Sequence, residues 1–122
     1  MRRVLLVEDH QPFRRALALI MRLEGVPVEL EEAGSFSEAR PLARLKDRYA
    51  VALVDLGLPD GDGLELIKDL RKNSPETAVA VLTIRVDPDD LNGALAAGAA
   101  EIISKERPLP EIVATVKRLA GA

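Results

Sequence analysis

Carboxylates, one hydroxyl and one lysine recur in this sequence at the same kind of place, directly after a short apolar run. Glu8 and Asp9 follow residues 4–7, Asp55 follows 51–54, Thr83 follows 79–82, and Ser104 and Lys105 follow Ile103. Gathered at one rim, three carboxylates repel one another and raise at least one pKa unless a cation compensates. A hard divalent ion is the economical compensator. Mg²⁺ takes one or two carboxylates, keeps several waters and accepts a phosphate oxygen. A carboxylate can itself be the nucleophile toward a phosphoryl group, giving an acyl phosphate. Lys105 and Thr83 can then meet the charge on the equatorial oxygens.

Such a rim needs elements that bring distant residues together. The apolar runs at 4–7, 51–54 and 79–82 are short, rich in Val and Leu and flanked by polar or turn residues, as strands buried on both faces are. Val28–Ala33 alternates Val-Glu-Leu-Glu, which suits a half-exposed edge strand, and Ile102-Ile103 makes a short fifth. Between them the period becomes helical. Gln11–Leu23 carries Pro12 in its first turn and aligns Phe13, Leu17 and Ile20. Ser35 with Glu38 resembles a capping box for a second helix, in which Pro41 should produce a kink or a shifted start. Residues 63–72 place Leu64, Ile67 and Leu70 on one side. Asp87-Pro88 opens a fourth helix that carries Leu91, Ala94 and Leu95 inward until Gly98 stops it. Pro110 opens the last, with Ile112, Val116 and Leu119 facing the core.

Strands alternating with helices across short loops imply right-handed crossovers and a parallel sheet covered on both sides. The expected fold is α/β, a flavodoxin-like doubly wound five-stranded sheet of order 2-1-3-4-5 with five helices. Ligands then sit beyond the carboxyl ends of the first and third strands, where the order reverses. A chain of 122 residues fits a single domain over 1–122 with one core.

Composition narrows the function classes. Cysteine is absent, which excludes disulfides and thiolate chemistry within this sequence. His10 is the lone histidine, which rules out a multi-histidine metal site and leaves it a solvent-facing or helix-capping role. The net charge of −3 with scattered basic residues offers no nucleic-acid footprint. No run reaches the length of a membrane span, so a cytoplasmic protein is expected. Asp60 and Asp62 lack the ligand pattern of a calcium loop and read as a turn. The first loop has acids where a nucleotide or flavin cradle needs glycines. Gly57 stands where an aspartyl phosphohydrolase usually carries a second acid.

The segments VLLVEDH, VALVDLGLPDGDG, VLTI and AAEIISKE resemble the response-regulator receiver domains of bacterial two-component systems, over essentially the whole chain. The resemblance implies a signalling module, not an enzyme in the usual sense, whose phosphoacceptor matches Asp55 and whose phosphodonor is a histidine kinase or phosphotransfer protein. It implies Mg²⁺, with Mn²⁺ as a substitute, on Asp9, Asp55 and the backbone carbonyl of Gly57, with Glu8 acting through water. Thr83 and Lys105 match the hydroxyl and lysine of the family. The Glu-Asp-His start is similar to receivers that precede a helix-turn-helix DNA-binding module, so the switch is expected to control an output domain or a partner. A phosphorylation-dependent homodimer through the fourth helix, fifth strand and fifth helix is a further expectation.

Two positions depart from the family pattern. Ile102 stands where receivers usually have Tyr or Phe, and bulky Ile84 stands where a small residue usually follows the hydroxyl residue. Without an aromatic switch, coupling is expected to run through residues 85–98, and Ile84 is expected to slow attack by water. The competing reading is a receiver-like interaction module that works without phosphorylation.

Overall fold

Strands of a parallel sheet lose both faces to helices, which is why the least polar runs of the chain become strands. The structure is a computed structural model that describes residues 2–84 and 87–121. It places β1 at Arg2–Val7, β2 at Val28–Ala33, β3 at Val51–Asp55, β4 at Ala78–Thr83 and β5 at Glu101–Ser104. Between them run α1 (Gln11–Leu23), α2 (Phe36–Ala43), α3 (Gly63–Asn73) and α4 (Pro88–Ala97), and α5 (Leu109–Leu119) follows β5. The strands pair in parallel in the order β2-β1-β3-β4-β5, so the expected doubly wound architecture is the one found. None of the described helices is long and apolar enough to cross a membrane.

Alternation along each strand splits the core in two. Leu5, Val7, Ala52, Val54, Val79 and Val81 face α2, α3 and α4, whereas Val4, Leu6, Leu53, Ala80 and Leu82 face α1 and α5. Leu66, Ile67 and Leu70 anchor α3 by nearly complete burial, each contributing about 1.5–3 kcal/mol. Gly63 lets that helix begin against the site. A Cβ there would stand 2.8 Å from the Asp55 carbonyl oxygen and 3.0 Å from the Leu56 Cα, both backbone atoms.

Local expectations met three different outcomes. Ser35 Oγ does accept the Glu38 N–H at 3.1 Å, but the Glu38 carboxylate reaches back to Gly34 N–H at 2.7 Å instead of the capping residue itself. Pro41 sits inside α2, which ends two residues later. Leu95 is not an inward residue: it is 51% exposed, and Ala94 is the buried residue of α4. The reason is the docking face. Ala94 and Ala97 pack on the α3 side, and a Cβ at Gly93 would make only an ordinary contact with Leu64 Cδ1 at 3.4 Å. Small residues bring the helix in, and Leu95 turns outward.

Candidate functional site

Register decides where the chemistry sits. Val7 pairs with Val54, Asp55 with Leu82 and Thr83 with Ser104, so Glu8, Asp55, Thr83 and Lys105 stand at neighbouring levels at the carboxyl ends of their strands. Carboxylate oxygens of Glu8, Asp9 and Asp55 converge to within 4.8 Å of one another. Asp9, Asp55, Gly57, Thr83 and Lys105 line a pocket of about 520 Å³, with Ile84 at its side. The residues expected at the rim are therefore brought together by the fold.

Adjacent acids play different parts here. Glu8 is wholly buried and Asp9 is exposed. The Lys105 ammonium bridges the two buried carboxylates, 2.6 Å from Glu8 Oε1 and 2.9 Å from Asp55 Oδ2. Glu8 Oε2 accepts the His10 N–H at 3.0 Å, and Asp55 Oδ1 accepts the Gly57 N–H at 2.8 Å. Lys105 is fixed from behind, because its own N–H donates to the Thr83 carbonyl at 2.9 Å.

These contacts set the charges. Burial pushes the Glu8 carboxyl above its ordinary pKa, and the Lys105 ammonium and the His10 N–H only partly offset it. Burial also pushes Asp55 upward, but the Gly57 N–H and Lys105 together outweigh it and hold Asp55 below the ordinary range. For Lys105 burial works downward, and the two carboxylates more than compensate, so its pKa is raised. Asp55 is thus an ionised, largely buried carboxylate facing an open pocket.

One ammonium against three carboxylates leaves negative charge unbalanced. Glu8 Oε1 has the ammonium as ion-pair partner but no well-formed hydrogen bond. Hard oxygen donors with surplus negative charge fit a hard divalent cation of the Mg²⁺ kind.

Sequence reasoning missed the groups that hold these residues in place. Arg14 Nη1 donates to the Glu8 carbonyl at 2.8 Å while its Nε donates to Glu32 at 3.1 Å, and Glu8 N–H donates to the Ala33 carbonyl at 3.0 Å. An arginine on a helix looks like a surface charge, and nothing in its spacing marked it. Asp60 stands in a turn, as expected, and it also anchors that turn. Its two oxygens accept Phe36 N–H at 2.8 Å and Ser37 N–H at 3.1 Å, which ties the loop after Asp55 to the start of α2. His10 is solvent-facing: it holds the N-cap position of α1 without a side-chain cap bond. Ile84 is 64% exposed, and Ile102 is half-buried against the α2–α4 side of the core. Of the segment 85–98 expected to carry coupling, residues 85 and 86 lie outside the described residues.

Comparison with known proteins points the same way. A family model described as the response regulator receiver domain matches residues 4–117. KdpE, the KDP operon transcriptional regulatory protein of Escherichia coli (strain K12), is 38% identical over 117 residues, covering 96% of this chain and 50% of KdpE. The transcriptional regulatory protein PmrA of Pectobacterium parmentieri is 36% identical over 117 residues, covering 96% and 51%. The chain thus spans about half the length of these relatives. Among solved structures, a CheY-like receiver domain protein from Methanospirillum hungatei JF-1 superposes with a TM-score of 0.86 at 26% identity, covering 99% of this chain and 94% of that one. A response regulator from Burkholderia pseudomallei, solved with a phosphorylated aspartic acid, calcium ion and citrate, gives 0.83 at 26% identity, covering 99% and 69%.

Proposed function

Because this chain belongs to the response regulator receiver domain family of two-component signalling, we propose that Asp55 is its phosphoacceptor, in a reaction that depends on Mg²⁺. The observation that carries the reading is the state of Asp55: held below the ordinary carboxylate pKa, nearly buried and facing the pocket between Gly57 and Lys105. Asp9, Asp55 and the Gly57 carbonyl are the ligands for the ion, with Glu8 acting through water. Bound there, Mg²⁺ supplies positive charge against the incoming phosphoryl group. A divalent ion and a phosphorylated aspartic acid occur together in the Burkholderia pseudomallei regulator, which supports the assignment.

The two oxygens of Asp55 are not equivalent. Oδ1 is held by the loop through Gly57, whereas Oδ2 is met by Lys105. Oδ2 is the attacking atom. Its bond to phosphorus forms as the P–N bond of a phosphohistidine breaks, and the leaving imidazole nitrogen takes a proton from water. Lys105 shifts from Oδ2 to a phosphoryl oxygen, and the Thr83 hydroxyl at the end of β4 donates to another. Ile84, exposed at the pocket, narrows the approach of water, so Ile84→Ala loses its acyl phosphate faster than the parent.

The donor is a cytoplasmic histidine kinase or phosphotransfer protein. The output is a changed surface over α4, β5 and α5 that controls an output domain or partner, with homodimerisation there as one form. Incubation with acetyl phosphate tests the reading. Mass spectrometry is expected to find one phosphoryl group at Asp55, with Mg²⁺ and not in excess chelator. Undiminished labelling of Asp55→Asn, or of the parent in chelator, overturns it. An unlabelled parent favours the phosphorylation-independent module.

A further inference from the structure

Lys105 has a third neighbour besides its two carboxylates. Its ammonium lies over the ring of Phe13, 5.5 Å from the centroid. Phe13 sits in the first turn of α1, half-buried against the core between the sheet and α1 and α5. The Lys105 side chain is 11% exposed although it comes from the rim of the sheet. Beside it, Phe13, Ile84 and Glu106 help form a groove of about 330 Å³.

We propose that Phe13 is a positioning residue: its ring holds the Lys105 ammonium toward Asp55 and Glu8 before a phosphoryl group arrives. The inference rests on the phosphoacceptor reading of Asp55 for its consequence, and on the ring contact for its physics. A lysine is a flexible chain with a strongly hydrated head, and its alternative is to swing into water. Glu8 attracts it throughout. The Asp55 Oδ2 contact lasts only until transfer, when Lys105 shifts to a phosphoryl oxygen. The negative face of an aromatic ring keeps its attraction for the cation through that shift. Leucine at position 13 can fill the same apolar space, but it has no such face.

Fluorination separates the two roles, because each ring fluorine weakens the negative face with little change in size. Phenylalanine with one, two or three ring fluorines is placed at position 13 alone, beside Phe13→Leu and Phe13→Trp. Two quantities are read: the initial rate of Asp55 labelling by acetyl phosphate with Mg²⁺, and the NMR order parameter of the Lys105 Cε methylene in the unphosphorylated protein. Labelling is expected to fall stepwise to about two- to fivefold below the parent in the trifluoro and Leu proteins, and to recover in Phe13→Trp. The order parameter should fall in the same sequence. A flat fluorine series, or equal loss in every variant, assigns Phe13 to packing and overturns the proposal. If the parent takes no label at all, the phosphoacceptor reading fails, and the order parameters still decide whether the ring restrains Lys105.

Discussion

At the carboxyl ends of the strands Glu8, Asp55 and Lys105 keep their charges almost out of solvent, at 0%, 6% and 11% side-chain exposure. At the opposite ends, Arg3 pairs with Glu29 at 3.3 Å with 43% and 56% of their side chains exposed, and Arg118 pairs with Glu101 between β5 and the end of α5. The ions are of the same kinds, but the physics differs. An exposed pair trades one well-solvated state for another, and its net value is small. A buried ion has given up its hydration and depends on its partners, so removing one partner costs far more than the pair contributes. The site is therefore the place where this fold carries an electrostatic cost, and the amino-end pairs are close to neutral decoration.

The sharpest way to break that contrast is to remove Lys105. Lys105→Met keeps the stem and deletes the charge, leaving two buried carboxylates unanswered. In chelator near neutral pH the loss is expected to reach about 3–5 kcal/mol in urea unfolding. Adding Glu8→Gln should return a large part of it, because the double variant no longer buries an unpaired Glu8. A loss within the range of a surface substitution would mean that the pocket solvates these acids well, and the contrast would collapse.

Metal should act on the same surplus charge. Mg²⁺ at about ten times its dissociation constant is expected to stabilise the parent by about 1.4 kcal/mol, rising logarithmically with concentration. Asp9 is exposed, so Asp9→Asn should change metal-free stability only slightly while blunting the Mg²⁺ response. Thermal melts with and without Mg²⁺ check both statements, and an unchanged response in Asp9→Asn removes it from the ligand set.

Much of this arrangement was legible in advance. Runs of Val and Leu long enough for one strand and too short for a helix marked β1, β3 and β4, and the alternation in Val28–Ala33 marked the edge. The site was readable because its residues end a strand or closely follow one, and parallel strands deliver their ends to one rim. The division of labour within the site was not. Glu8 and Asp9 look alike as letters, and burial of one depends on Arg14, Ala33 and Lys105, which are remote in sequence. The face of α4 differs from the expected one for a related reason. Leu95 offers more apolar area than Ala94, yet packing against α3 selects the small side chains.

Titration sharpens the comparison more gently. Glu8 has a folded pKa raised above 4.5. Just above that value the folded state holds a proton that the unfolded chain has released, so the Glu8 contribution falls as pH rises to the folded pKa and is constant beyond it. Asp55 runs the other way: its folded pKa lies below 3.8, so its stabilisation is present above 3.8 and lost as pH falls through the folded value. The stability difference between parent and Glu8→Gln, measured by urea unfolding in chelator, is expected to shift against the parent as pH rises above 4.5. A difference that is flat with pH would mean that Glu8 titrates alike in the folded and unfolded states.

The smallest effect belongs to the amino end. Arg3 and Glu29 stand opposite each other in the β1–β2 register, so Glu29→Gln removes a cross-strand ion pair without touching the core. Both side chains keep about half their exposure, and water and salt screen what Coulomb attraction remains. The expected loss is about 0.2–1 kcal/mol at low ionic strength, shrinking toward zero as salt rises. Lys105→Met should keep most of its penalty under the same salt, because a buried pair lies outside the reach of the ionic atmosphere. Running both variants through one salt series therefore measures burial itself. Parallel salt dependence in the two would show that the pocket ions are solvated like surface ions, whereas divergence ties the cost of the site to the dehydration of Glu8 and Asp55.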